Sequence, residues 1–181
     1  MAEKIKFESK DKKMLDYADS HIQKVSQAFK KYGTQILKEL GAPDLNDDLF
    51  HRVIAHDKSK YSEEEFIGYR KHFDPKPGED KDEADALYAR AWLHHQNTNS
   101  HHPEYWTLID DSTHEVDGKT EAYAKITYLA MPKLDIAEML CDWAAFGSPR
   151  SWFEKNQQYY THIFHPDTYR LVDKVTKKIW G

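Results

Sequence analysis

Histidines in tight groups are the most chemically informative feature of this 181-residue sequence, which contains 11 of them. The densest group, His94-His95 and His101-His102, places four imidazoles within nine positions. Imidazole suits borderline transition metals such as Mn, Fe, Co, Ni and Zn. We therefore predict that the protein binds one or two divalent transition-metal ions, and that two of these four histidines are ligands while two lie outside the site.

The sequence separates His95 from His94 as a metal-ligand candidate, but it does not separate His101 from His102. His95 continues the apolar stripe of a predicted helix, whereas His94 lies off that stripe, so His95 is the stronger ligand candidate. His101 and His102 both lie in a turn before Pro103, and the sequence leaves the choice between them open.

An adjacent imidazole and carboxylate, His56-Asp57, follows another apolar helical stripe. Burying such a pair is costly unless a metal or other partners compensate it, so the dyad is either a site or a satisfied core pair. Lys60 follows three residues later, in H-D-K-S-K. Its ammonium could hold a phosphate oxygen there, or it could be a solvated lysine at a helix end.

Further ligand types occur on two other predicted helices. His21 lies on the apolar stripe of the first helix. Glu138 and Asp142 are four residues apart on one face of a late helix whose other positions are apolar, and either could be a ligand. We predict that Cys141 is a small buried hydrophobe. Five more histidines are predicted to be structural or solvated: His51, His72, His114, His162 and His165.

Helical periodicity and capping signals predict the elements that must position these residues. Ser62 and Glu65 have the spacing of a capping box. The strands 105–109 and 124–129 are predicted to pair as a small hairpin around Asp117-Gly118. The fold class is therefore mainly α, in a single domain spanning 1–181, with helices predicted at about 11–40, 46–57, 62–72, 82–96, 132–147, 152–160 and 166–180.

Composition narrows the class of protein. Hydrophobic residues make up 39% and charged residues 31%, which argues against a disordered chain. No apolar run approaches the ~20 residues of a membrane span, and the start has no apolar segment typical of a secretory signal. The net charge of −5 does not favour nucleic acid as a partner. With one cysteine, these features predict a cytoplasmic protein, with its oligomeric state left open.

In combination, the first histidine, the dyad and the late aspartate resemble the H…HD…D signature of the HD-domain metal-dependent phosphohydrolase superfamily. The segment H-D-K-S-K is similar to the HD-x-x-K variant of that signature. The additional histidines are similar to those of a subset with six protein ligands and two metals. The segments HH…HHPEYW and EMLCDWAAF also resemble a small phage and bacterial family without an assigned activity.

The superfamily resemblance implies a helical bundle with metals at its centre. Asp57 would bridge two ions, with His56 as a further ligand. His21 and Asp142 would bind one ion, and His95 with His101 or His102 would complete the other. The short spacing from His95 to His101, and the lack of the glycine-proline signature of cyclic-dinucleotide phosphodiesterases, leave the substrate open.

This resemblance implies metal-assisted hydrolysis, in which a metal lowers the pKa of a bound water towards ~7. Lys60, with Arg52 or Lys58 as lesser candidates, would offset the phosphate charge, and Glu138 would orient the water or act as general base. The expected substrate is a small, nucleotide-like phosphomonoester or phosphodiester. Two alternatives remain: a di-iron oxygenase of the same superfamily, which cleaves C–C or C–P bonds, and a metal-stabilised binding protein without catalysis.

Overall fold

The structure of the protein, a computed structural model, describes residues 11–110, 113–122 and 125–181, with the backbone alone at 113–116 and 120–122. The prediction that the His114 side chain is structural or solvated therefore lies outside the described side chains, and the predicted strand start at position 124 lies outside the described residues. Within the described residues the fold is mainly α, as predicted. Its eight α-helices are α1 Lys12–Leu40, α2 Asn46–Ala55, α3 Glu63–Phe73, α4 Lys81–Thr98, α5 Lys133–Phe146, α6 Pro149–Lys155, α7 Gln157–Ile163 and α8 Pro166–Trp180.

The main core forms where the long helix α1 packs against α5. The apolar stripe of α1 contributes Val25 and Ile36, and α5 contributes Ile136 and Leu140, all without exposed surface. The first helix ends as predicted at Gly41, whose positive φ of 68° permits the left-handed C-cap. This packing brings the first half of α1, which carries His21, beside the second half of α5.

A close contact between α3 and α4 forms the other side of the bundle. A Cβ atom on Gly68 would lie 2.5 Å from the backbone oxygen of Leu87, so only glycine permits this approach. Phe66 and Tyr69 of α3 pack with Ala91 of α4 in a small buried cluster. The close approach brings Glu65 of α3 to the face of α4 that carries His95.

The predicted hairpin is present. Strand β1, Thr107–Asp110, pairs antiparallel with β4, Lys125–Tyr128, and β2, Thr113–Val116, pairs with β3, Lys119–Ala122. Asp117 and Gly118 join the inner strands with φ values of 49° and 74°, as a type I′ turn requires. The first strand begins at Thr107 because the preceding Pro103–Trp106 segment forms a 3-10 turn.

Three local predictions are wrong. Helix α2 ends at Ala55, so the dyad follows the helix instead of continuing it. The side chain of Ser62 makes no capping hydrogen bond. The predicted helix at 152–160 is two helices, since the backbone leaves helical geometry at Asn156. None of the described helices has both the length and the apolar character that a membrane span needs.

Candidate metal centre

The predicted ligand residues converge at one point in the bundle, from five separate segments. His21 comes from the first half of α1, and the dyad from the loop after α2. The remaining contributors are His95 near the end of α4, the turn with His101 and His102, and Asp142 on α5. Side chains of this group are buried, apart from partial exposure of Asp142 and His102 at 14% and 17%.

The backbone after α2 aims the dyad inward. His56 has an extended conformation that ends the helix, and Asp57 has a left-handed φ of 55°. Aspartate is among the few non-glycine residues that occupy this region with any frequency. The backbone oxygen of Asp57 then accepts from the amide of Lys60 at 2.9 Å, which starts a 3-10 turn. Consecutive side chains thereby reach the same buried point.

Asp57 divides its two carboxylate oxygens between two groups of imidazoles. Its Oδ1 lies 3.4 Å from Nε2 of His95 and 3.6 Å from Nε2 of His101. With His102 these residues have ligand atoms within 4.8 Å of one another, and we call Asp57, His95, His101 and His102 the His95 set. Three of the four clustered histidines, instead of the two predicted, therefore converge here.

The second oxygen, Oδ2 of Asp57, faces the other group. It lies 3.3 Å from Nε2 of His21 and 3.5 Å from Nε2 of His56. Oδ1 of Asp142 lies 3.1 Å from the same His21 nitrogen. We call these four residues, His21, His56, Asp57 and Asp142, the His21 set. His56, His101 and Asp142 form an overlapping group, so the two sets adjoin.

Several polar atoms of the two sets have no hydrogen-bond partner among the described residues. They are Nδ1 of His21, Oδ1 of Asp57, Nε2 of His101, Nε2 of His102 and Oδ1 of Asp142. Leaving a buried polar atom unpaired typically costs ~1–3 kcal/mol. Imidazole nitrogens and carboxylate oxygens that meet in this way fit a divalent transition metal, which would satisfy them together. The residues present therefore fit the predicted ion or ions.

Buried carboxylates lie behind two of the candidate ligands, His95 and His56, and fix the orientation of their imidazoles. Nδ1 of His95 donates to Glu65 at 2.8 Å, and Nδ1 of His94 donates to the other Glu65 oxygen at 2.8 Å. Nδ1 of His56 donates to Glu138 at 3.0 Å. A proton on Nδ1 leaves the Nε2 lone pair facing the centre, as a metal-binding tautomer requires. In the sequence, the spacing of Glu65 from Ser62 indicates a capping box, and it gives no sign that Glu65 contacts two histidines.

Glu138 is itself fixed by Arg52, whose Nε donates to it at 2.7 Å. Although burial alone would raise the pKa of Glu138, hydrogen bonds from His101 and His56 lower it well below its usual range. The guanidinium of Arg52 also donates to Ser100 at 2.7 Å, and Ser100 donates to Asp135. This network links α2 and α5 to the turn that carries His101.

Protonation states differ across the sets. Burial, with the neighbouring His101 and His95, lowers the pKa of His102 to about 2, so its imidazole is neutral at pH 7. Burial opposes a charge on His56, but the charge of Asp57, acting together with Asp142 and Glu138, outweighs it and raises the pKa of His56 to about 10. Asp142 stays ionised because the nearby imidazoles of His21 and His56 lower its pKa against the effect of burial.

A cavity of about 510 Å³ opens beside the two sets. Its charged lining residues are Asp57, Asp142, Glu104 and Lys60, so Lys60 is the only lysine or arginine among its described lining residues. The rest of the lining is largely aromatic and includes Tyr17, Tyr69, Phe73, Tyr88, Trp92, Trp143, Phe146, Trp152, Tyr159 and Tyr160. The cavity can therefore take a flat organic molecule beside the candidate metal ligands.

Lys60 is buried between this cavity and the dyad. Its Nζ donates to Oδ2 of Asp57 at 2.6 Å and lies 5.8 Å from the ring centre of Tyr69. Burial alone would lower the pKa of Lys60, but the charge of Asp57 raises it, so the ammonium stays charged. The lesser candidates fit the cavity less well, since Arg52 is paired with Glu138 and Lys58 is exposed.

The fold and the site together define a helical protein with buried histidine and aspartate clusters that can hold metal. The chain belongs to a family of unknown function (DUF5662), whose model matches residues 10–178. No curated protein and no solved structure shows a significant match to it.

Proposed function

We propose that the protein is a metal-dependent phosphohydrolase of the HD type, acting on a small, nucleotide-like phosphoester. The observation that carries the proposal is the position of the Asp57 carboxylate beside the cavity, with its two oxygens facing different sets. Each of its oxygens lies within 3.6 Å of histidine Nε2 atoms that belong to a different set. A carboxylate in this position can bridge two ions, which is the arrangement of many enzymes that hydrolyse phosphoesters.

Bound divalent ions would supply a water of lowered pKa and would polarise the phosphoryl group. The chain's own residues supply the remaining requirements. Glu65 and Glu138 keep the imidazoles oriented, so little reorganisation is needed during turnover. Lys60 lines the cavity and can offset the charge of a phosphate once its ammonium turns from Asp57.

The lining of the cavity favours a substrate with few phosphates and a flat ring. Besides Lys60, its charged lining residues Asp57, Asp142 and Glu104 are all acidic, which would repel a polyphosphate chain. The indole rings of Trp92, Trp143 and Trp152 offer surfaces on which a base can stack. A nucleoside monophosphate or a short phosphodiester meets both conditions.

The same aromatic lining also supports the di-iron oxygenase alternative, because oxidation of an organic substrate needs few cations in the cavity.

The phosphohydrolase proposal is tested with untagged protein loaded with Mn²⁺ or Co²⁺ and assayed without oxygen against a panel of phosphomonoesters and phosphodiesters. We expect release of phosphate or of a nucleotide product. His51→Ala, which changes an exposed histidine on α2, should retain full activity, and His56→Ala should lose it. Turnover that stops without oxygen would contradict the hydrolase.

A further inference from the structure

We propose that the two ion positions are unequal and fill in order, because Lys60 competes with the second ion for Asp57. The His95 set takes the first ion, and the His21 set takes the second only when the ammonium of Lys60 leaves Oδ2 of Asp57. This inference rests on the metal centre of the proposed function and adds an order of loading to it.

The first part of the argument is the unpaired state of the His95 set. Oδ1 of Asp57 and Nε2 of both His101 and His102 are buried without a hydrogen-bond partner among the described residues. The nearest cation at Asp57, the ammonium of Lys60, contacts the opposite carboxylate oxygen. An ion that enters this set therefore satisfies three atoms and displaces no protein cation.

The second part is the different state of the His21 set. Nζ of Lys60 lies 2.6 Å from Oδ2 of Asp57, with only 11% of the lysine side chain exposed. An ion bound to the same oxygen would lie within a few ångströms of this ammonium. Like charges this close in a partly buried site repel each other strongly, so the lysine and the second ion exclude each other.

The displaced ammonium has a position to occupy, because Lys60 also lines the cavity. The ammonium leaves Oδ2 of Asp57 and faces the space that a substrate phosphate would enter. Loading of the second ion therefore makes the lysine available to an anion. By linkage, an anion in the cavity must in turn strengthen binding of the second ion by the same factor.

Metal-free protein is titrated with Mn²⁺ by calorimetry, and the stoichiometry is checked by elemental analysis. Wild type should bind one ion tightly and a second more weakly. Lys60→Met should strengthen the second step by about tenfold or more, and leave the first within about twofold. Lys60→Arg keeps the charge and should resemble wild type. Lys58→Met, on the same 3-10 turn but exposed, is the matched control.

Inorganic phosphate adds a second readout. It should strengthen the second step more in wild type than in Lys60→Met, since only wild type gains a free ammonium. The first step serves as the folding control, because a misfolded variant would lose it.

Four outcomes would overturn the inference: two equal ions in wild type, an unchanged second step in Lys60→Met, loss of that step alone, or a single ion in both proteins. The last outcome would leave a one-ion centre in place. Absence of Mn²⁺ binding in every variant would overturn the metal centre itself, and the loading order with it.

Discussion

The carboxylate of Glu65, which has no exposed surface, accepts a hydrogen bond from Nδ1 of His95 at 2.8 Å. This contact joins α3 to α4 and holds the imidazole with Nε2 facing Asp57. The pair is a carboxylate–histidine arrangement of the kind that lies behind many metal ligands. Because the charge of Glu65 makes the imidazole a stronger donor, the pair has a direct consequence for metal affinity.

Glu65→Gln should therefore weaken binding of the tightest ion by about 10–100-fold while retaining the helical fold. Glutamine keeps the size of the side chain but removes its charge. The measurement is competition with a fluorescent chelator, with circular dichroism to check helicity. Glu64→Gln, an exposed change in the same turn, is the control. Equal affinity in Glu65→Gln and wild type would show that Glu65 does not support His95.

Arg52→Ala should destabilise the protein, because it removes the guanidinium that neutralises the buried Glu138 and Asp135. Arg52 is about one-third exposed, so we expect a loss of roughly 1–3 kcal/mol in the free energy of unfolding. Urea denaturation of metal-free protein measures it. The exposed Arg170→Ala should change stability by less than ~0.5 kcal/mol. An equally small change in stability in Arg52→Ala would show that the pairing of Arg52 with Glu138 and Asp135 does not stabilise the fold.

Metal binding to the His21 set should release a proton at neutral pH. The pKa of His56 is raised to about 10, so its imidazole is charged in metal-free protein at pH 7 and must lose a proton to become a ligand. Binding should therefore strengthen as pH rises, by up to about tenfold per unit, and level off near the raised pKa. Calorimetry in buffers of different ionisation enthalpy counts the protons. Binding without proton release would contradict the assignment of His56.

Sequence periodicity predicted the helices well where one face is buried, as in α1 and α5. The seven candidate ligands also converge, since His21, His95 and Asp142 lie on faces that point into the bundle. Contacts between distant segments were not predictable. Glu65 meets His95 from 30 positions away, and this long-range pairing prevails over its local capping signal. Three histidines converge from 95–102 because the turn after α4 folds back, and this depends on the network around Ser100.

Metal content of untagged protein, in wild type and Asp57→Ala, tests the central claim most directly. Asp57 faces both histidine sets, so its removal should abolish most bound transition metal while circular dichroism shows that helicity is retained. Asp48→Ala, an exposed change on α2, should keep the wild-type content. We predict at least one equivalent of metal in wild type and in Asp48→Ala, and little in Asp57→Ala. Equal metal in wild type and Asp57→Ala would contradict the site.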